Sequence, residues 1–209
     1  MSDADSPRSM AIEPEVAPSA AMVLAGQAAK GDVAATRRLL EAVAPRMMRV
    51  VQMVLGSAHA DLDDVVQQSL IALVQALPSF RGECEPVHYG TRIAVRTAVA
   101  ARKRTRLQWS RRDDDAETET LADHNPLPLD AARAERRKML LRDLLAEIPD
   151  EQADSMAMRF MLGWSLEEVA VATGAPVNTV RSRLRLAKEA LRRRIEADPA
   201  LADELEVQS

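Results

Sequence analysis

Aromatic residues are almost missing from this chain: Phe80, Tyr89, Trp109, Phe160 and Trp164 are the whole set in 209 residues. Glycine is scarce too, with 7 in all, so the sequence is poor in strand formers and turn residues and an all-α fold is expected. The single cysteine, Cys84, excludes an intramolecular disulfide and a Cys-rich metal site, which suits a reducing compartment. No run approaches the ~18 uninterrupted apolar residues of a membrane span. Asp3 and Asp5 stand where a secretory signal carries positive charge. A soluble, cytoplasmic protein without membrane insertion is the expectation. Charge of one sign is not dominant either: 28 basic residues face 32 acidic ones, for a net charge of -4. Any nucleic-acid binding must therefore be concentrated in local patches.

Nearly half of the chain is hydrophobic, 47%, enough for one domain or two small ones to bury a core. Residues 1–22 hold Pro7, Pro14 and Pro18 among acids and small side chains and read as a disordered tail. From Thr36 to Leu55, Leu39, Leu40, Val43, Met47, Val50, Val51 and Val54 recur at helical spacing, with Pro45 placed to kink or divide the helix. Leu62, Val65, Val66, Leu70, Leu73, Val74 and Leu77 mark a second helix that Asp61 is placed to cap and Pro78 to stop. After a loop over 79–86, a third helix carries Ile93, Ala94, Ala98 and Val99 into the basic run Arg102, Lys103, Arg104, Arg106. Acids and prolines without apolar periodicity then mark a flexible acidic linker over 109–132. The expected domains are 23–108 and 133–196, with an acidic tail over 197–209.

The second domain carries the sharper signals. Leu140, Leu141, Leu144, Leu145 and Ile148 form one helix face closed by Pro149, and Ala153, Met156, Ala157, Phe160 and Met161 form another closed by Gly163. Ser165-Leu166-Glu167-Glu168 is a capping box, in which the Ser hydroxyl and the Glu carboxylate satisfy each other's orphan amides. A short helix from Leu166 to Thr173, a turn at Gly174 and a long helix from Val177 through Arg194 follow. Two helices joined by a short glycine turn, the second rich in Arg, have the form of a helix-turn-helix whose second helix enters the DNA major groove. Val180, Leu184 and Leu191 would face the core, leaving Asn178, Thr179, Arg181, Ser182 and Arg185 outward, with Arg183 beside them. Arg suits guanine, Asn suits adenine, and Ser or Thr suits phosphate or base edges.

Gly163-Trp164-Ser165-Leu166-Glu167-Glu168-Val169-Ala170, then Thr173-Gly174, then Thr179 through Ala187, resembles region 4 of the extracytoplasmic-function (ECF) sigma factors of bacterial RNA polymerase. Asp63-Asp64-Val65-Val66-Gln67-Gln68-Ser69-Leu70, followed by Phe80-Arg81-Gly82 and Arg92-Ile93-Ala94, is similar to their region 2. The resemblance implies two small helical domains, a region 2 bundle and a region 4 helix-turn-helix, and a non-enzymatic role without cofactor or metal. Such a protein docks on core RNA polymerase, directs it to promoter DNA and assists opening of the duplex. Core binding would fall to Asp63, Asp64, Gln67 and Gln68. The downstream promoter element would be captured as a single strand by Arg81, His88, Tyr89, Arg92, Arg96, Arg102 and Lys103. The upstream element would be read by Asn178, Thr179, Arg181, Ser182, Arg183 and Arg185. The resemblance also implies an anti-sigma partner and a monomer when free. Many relatives carry Trp at the place of Tyr89, Asn at that of Arg96 and a hydroxyl residue at that of Pro176, so this chain departs from the pattern at those positions.

Two rival readings exist. A stand-alone helix-turn-helix regulator would bind duplex DNA as a dimer on spaced half-sites, but no dimerisation heptad or sensing pocket supports it. A metal enzyme would need His59, Asp61, Asp63 and Asp64, or Cys84 with His88, as ligands. Those acids equally form a helix-capping turn, and two soft ligands make half a zinc site.

Overall fold

The computed structural model describes residues 19–112 and 129–199, with side chains described for 19–108 and 135–199. Most of the expected N-terminal tail and linker, and residues 200–209, lie outside the described residues. Among the described residues eight α-helices and no strand are present: α1 (Ala20–Ala28), α2 (Val33–Leu55), α3 (Leu62–Ala76), α4 (Pro86–Arg112), α5 (Leu129–Glu147), α6 (Asp150–Met156), α7 (Leu166–Thr173) and α8 (Val177–Glu196). A 3-10 turn, Leu77–Ser79, closes α3, and a π-helical segment, Ala157–Met161, extends α6.

The N-terminal half is a bundle of α1 to α4 around α2. Leu39, Val43, Met47, Val50, Val51 and Val54 are all essentially buried, the stripe that their spacing predicts. Asp32 caps this helix, its carboxylate accepting from the Ala35 amide at 3.0 Å. Pro45 neither divides nor ends α2, which runs continuously through it. α4 crosses α2 closely because residue 90 is glycine: a Cβ there would lie 3.1 Å from Met47 Sδ. α1 was not expected from the sequence; Ser19 caps it and Ala25 and Ala28 seat it on the bundle. Asp61 does stand at the start of α3, but its side chain makes no capping bond. Its backbone amide donates instead to His59 Nδ1 at 3.2 Å.

In the C-terminal half, the capping box at the start of α7 forms as its sequence predicts: Ser165 Oγ accepts from the Glu168 amide at 3.0 Å, and Glu168 Oε2 accepts from the Ser165 amide at 2.7 Å. These bonds hold the Glu168 carboxyl below the ordinary carboxylate range. Gly174 ends α7 with φ +64°, a left-handed turn that a β-carbon would strain. The expected apolar face over 153–161 is redrawn by the π segment. The Leu162 amide donates to Ala157 O, the wider turn shifts the register, Met158 becomes fully buried and Phe160 turns 54% exposed.

The two halves share one continuous core. Val95, Ala98, Leu145, Ile148, Ala153, Ala157 and Trp164 belong to the same buried cluster as the α2 stripe. α4 is the common wall, packing on α2 and α3 on one side and on α5, α6 and α7 on the other.

Candidate polymerase and nucleic-acid interfaces

On α3, Val65, Ser69 and Leu73 are buried, which leaves Asp63, Asp64, Gln67 and Gln68 exposed to solvent. Gln68 Oε1 accepts from Arg104 at 3.5 Å. Ile71, which lies outside the expected apolar stripe, and Val74, which was expected within it, continue this face at 48% and 38% exposed. They follow Gln67 at four and seven residues, so helical spacing alone would have found them. The result is a polar, acidic first turn, favourable at a helix N-terminus, leading into an uncovered apolar stretch.

On α8, Val180, Leu184 and Ala187 are buried, and Asn178, Thr179, Arg181, Ser182 and Arg185 are exposed together. Pro176 at the helix start makes no side-chain cap. Asn178 Oδ1 accepts from Arg181 at 3.1 Å, so the two side chains orient each other near the helix start. Arg185 pairs with Glu189 of its own helix at 2.6 Å. Arg183 differs: it turns toward α6, pairs with Glu151 at 2.6 Å and keeps only 19% of its side chain exposed. Lys188 and Arg192 extend the exposed stripe, and with Arg159 of the π segment they line one groove along the helix. Lys188 also lies over the Phe160 ring, 5.0 Å from its centroid. Residues 181, 185, 188 and 192 fall on one helical face, a signal that sequence spacing carries beyond Arg185.

The remaining candidates lie on α4 and the loop before it. Phe80 packs at 5.0 Å on the Tyr89 ring, and Arg81 is exposed with Glu83 3.9 Å away. Burial pushes the Cys84 thiol up, against the opposing pull of Arg92. Further along α4 the cations meet the other half of the protein. His88 meets the Trp164 ring edge-on at 5.0 Å. Arg96 faces Asp154 at 3.9 Å, and Arg92 lines the same cleft. Arg102 donates to Leu55 O at 2.7 Å and to Asp143 at 2.8 Å, which closes the C-terminal end of α2 and ties it to α5. Burial lowers the Arg102 pKa and the Asp143 charge opposes that. Lys103 bonds Ile148 O at 2.6 Å and the Asp150 carboxylate. Arg106 pairs with Glu147 at 2.6 Å. Sequence reasoning had named most of these cations but none of their partners, because the carboxylates sit some 40 residues away and only the tertiary packing brings them there.

Asp154 is the one buried acid among the described residues, 8% exposed, with Oδ1 lacking a partner. Burial pushes its pKa up to about 6, against the opposing pull of Arg96. No group of three or more metal-ligating side chains is brought together among the described residues. No helix there is long and apolar enough to cross a membrane.

The sigma-70 region 2 family model matches residues 39–108 and the sigma-70 region 4 model matches residues 138–191. The chain is 30% identical over 142 residues to the ECF RNA polymerase sigma-E factor of Haemophilus influenzae, covering 65% of this chain and 75% of that one. It is 28% identical over 184 residues to the sigma-E factor of Salmonella typhimurium, covering 83% and 93%. Among solved structures its fold is similar to that of CnrH, determined in complex with the cytosolic domain of CnrY, with a TM-score of 0.51 and 22% identity over 86% of this chain and 99% of that one. The chain therefore belongs to the extracytoplasmic-function sigma factors of the sigma-70 family, non-catalytic initiation factors that direct RNA polymerase to promoters.

Proposed function

We propose that promoter recognition is divided between the two halves, 23–108 and 133–196, joined through 109–132. The exposed face of α3, with Asp63, Asp64, Gln67 and Gln68, docks on core polymerase. α8 enters the major groove of the upstream element through Asn178, Thr179, Arg181, Ser182 and Arg185. Arg183 acts there as the strut that fixes α8 on α6. The downstream element is captured as a single strand along α4. Arg92, Arg96 and Lys103 track phosphates, while His88 and Tyr89 offer rings on which extruded bases stack. Arg81 guards the mouth of the loop, and Arg102 anchors the end of the groove. Capture of unpaired bases assists opening because it stabilises the melted strand relative to the duplex. The chain itself carries out no catalytic step, needs no cofactor, works in the cytoplasm beside the polymerase, and is a monomer when free. An anti-sigma protein covering the polymerase-facing surfaces is the expected regulator; CnrH, similar in fold, was solved with a partner chain.

The observation that carries this reading is the pair of separated faces, one acidic and polar on α3 and one cationic on α8, each exposed and borne by a matched sigma region. The test is co-elution with bacterial core RNA polymerase at moderate salt, run beside an Asp64→Ala, Gln67→Ala double variant and followed by promoter-dependent transcription. Weakened co-elution of the variant, with transcription requiring the added protein, is the expected result. Tight duplex binding by the free protein without core association would instead describe a stand-alone regulator.

A further inference from the structure

Between α5, the π segment and α8 runs an apolar groove of about 360 Å³. Leu141, Leu145, Met156, Phe160, Met161 and Leu191 line it. Leu141 and Phe160 stand half exposed there, at 50% and 54%, and it is the π turn that brings Phe160 to the surface. A monomeric protein seldom leaves adjoining large apolar side chains uncovered without a use for them. One wall of the groove is basic: Lys138 and Arg142 of α5 line it too, and Lys138 keeps 63% of its side chain exposed with Glu135 at 3.3 Å.

The chain itself brings an occupant to this place. Arg194 bonds Glu147 at 3.0 Å and Asp198 at 3.2 Å, so the residues that follow α8 leave from the C-terminal end of α5. Leu191 lies five residues before the end of α8, roughly 8 Å along its axis. The ten residues 200–209 come next in the sequence, and extended they span roughly 33 Å, several times the distance back to the groove. Their composition complements it: Leu201, Leu205 and Val207 are the large apolar members, Asp203, Glu204 and Glu206 the charged ones, and no Lys or Arg is among them. We propose that this C-terminal segment docks in the groove between α5 and α8, its leucines covering Leu141, Phe160 and Leu191 and its acids facing Lys138 and Arg142. The segment is then a removable cover on the helix-turn-helix half, and a protein surface that seats apolar side chains in the groove has first to displace it. Apolar burial is opposed by the entropy of ordering ten residues and the ion pairs are screened by salt, so the cover is weakly held.

The test uses the full chain with Gln208→Cys carrying a nitroxide label, in a Cys84→Ser background that confines the label to one site. At low salt the label is expected to broaden the methyl signals of Leu141, Met156 and Met161 and to leave that of Val23 on α1 sharp. Leu201→Asp with Leu205→Asp should restore the groove signals, because a carboxylate is expelled from an apolar site. Leu201→Met with Leu205→Met, close in volume and apolar, should keep the broadening. Ending the chain after Pro199 should raise hydrogen exchange of the α5 amides over 138–145 about threefold, since those amides lose their cover. Groove signals that stay sharp in the labelled parent, or that broaden equally in the Asp variant, overturn the proposal, and so does unchanged exchange in the shortened chain. Mixing the nitroxide chain with an isotope-labelled chain free of nitroxide identifies the occupant: broadening in the second chain as strong as in the labelled parent makes a second copy the occupant and overturns docking within one chain.

Discussion

Two helices carry most of the clustered positive charge of this protein, and they differ in what neutralises it. On α8 the exposed arginines pair with acids of their own helix, as Arg185 does with Glu189, or with the neighbouring Asn178, and a solvent-facing side remains. On α4 the cations are satisfied by carboxylates and carbonyls from another part of the chain, and His88 is covered by Trp164. A run of Arg and Lys in a sequence therefore states a charge but not its availability. Pairs within one helix leave the surface accessible because both partners lie at its edge. Pairs between helices close it.

The largest effect expected is on the open face. Arg181→Ala with Arg185→Ala should lower upstream-element binding by the assembled holoenzyme about a hundredfold, since a well-placed arginine contributes about 1–3 kcal/mol to base recognition. Footprinting and transcription on a single promoter read this; a loss of less than about threefold would place upstream recognition elsewhere.

The closed face should respond to pH through Asp154. Arg92, Arg96 and Lys103 from α4, Asp150 and Glu151 beside it on α6, and Arg183 from α8 surround the carboxyl or shape its cleft. Its pKa is raised from 3.8 to about 6 in the closed arrangement, so that arrangement binds the proton more readily than an open one in which Asp154 regains its ordinary value. Closure is then favoured as pH falls through 6, and by about tenfold between roughly pH 7 and pH 5. Asp154→Asn should abolish that part of the dependence in scattering measurements. His59, whose pKa is lowered mainly by burial, titrates in the opposite sense in both proteins, so the difference between them isolates Asp154. An identical pH response in the two would remove Asp154 from the account.

A smaller change is expected at the support of α7. Ser165→Ala removes the capping box and should cost about 1 kcal/mol of stability, read as a shift in the urea midpoint. Smallest is Arg183→Ala. If this side chain is a strut between α8 and α6, stability falls by about 0.5–1 kcal/mol while sequence preference at the promoter stays unchanged. Altered base preference would return it to the reading face.

Much of this was legible in the residues. The stripes of α2 and α3, the capping box, the left-handed turn at Gly174 and the outward side chains of α8 all follow from spacing and from local backbone chemistry, interactions that reach no more than about one helical turn. α1 escaped notice because its apolar residues, mostly Ala, form no strong stripe, and because its tie to the bundle runs through Ser19 to Glu85 at 2.8 Å. Continuity of α2 through Pro45 and the π turn that exposes Phe160 escaped for another reason. Each trades a local backbone preference for packing on other helices, as propensities of a few kcal/mol or less allow.

The sequence by itself determined that the chain is helical, where its caps and turns fall, which helices are amphipathic, and which residue types are offered for core docking and for DNA. Only the tertiary structure decided which of those residues are free. Whether Arg183, His88 and Arg102 meet solvent, a ring or a carboxylate depends on contacts with Glu151, Trp164 and Asp143, 32 to 76 positions away in the chain, and such contacts leave no period in the sequence.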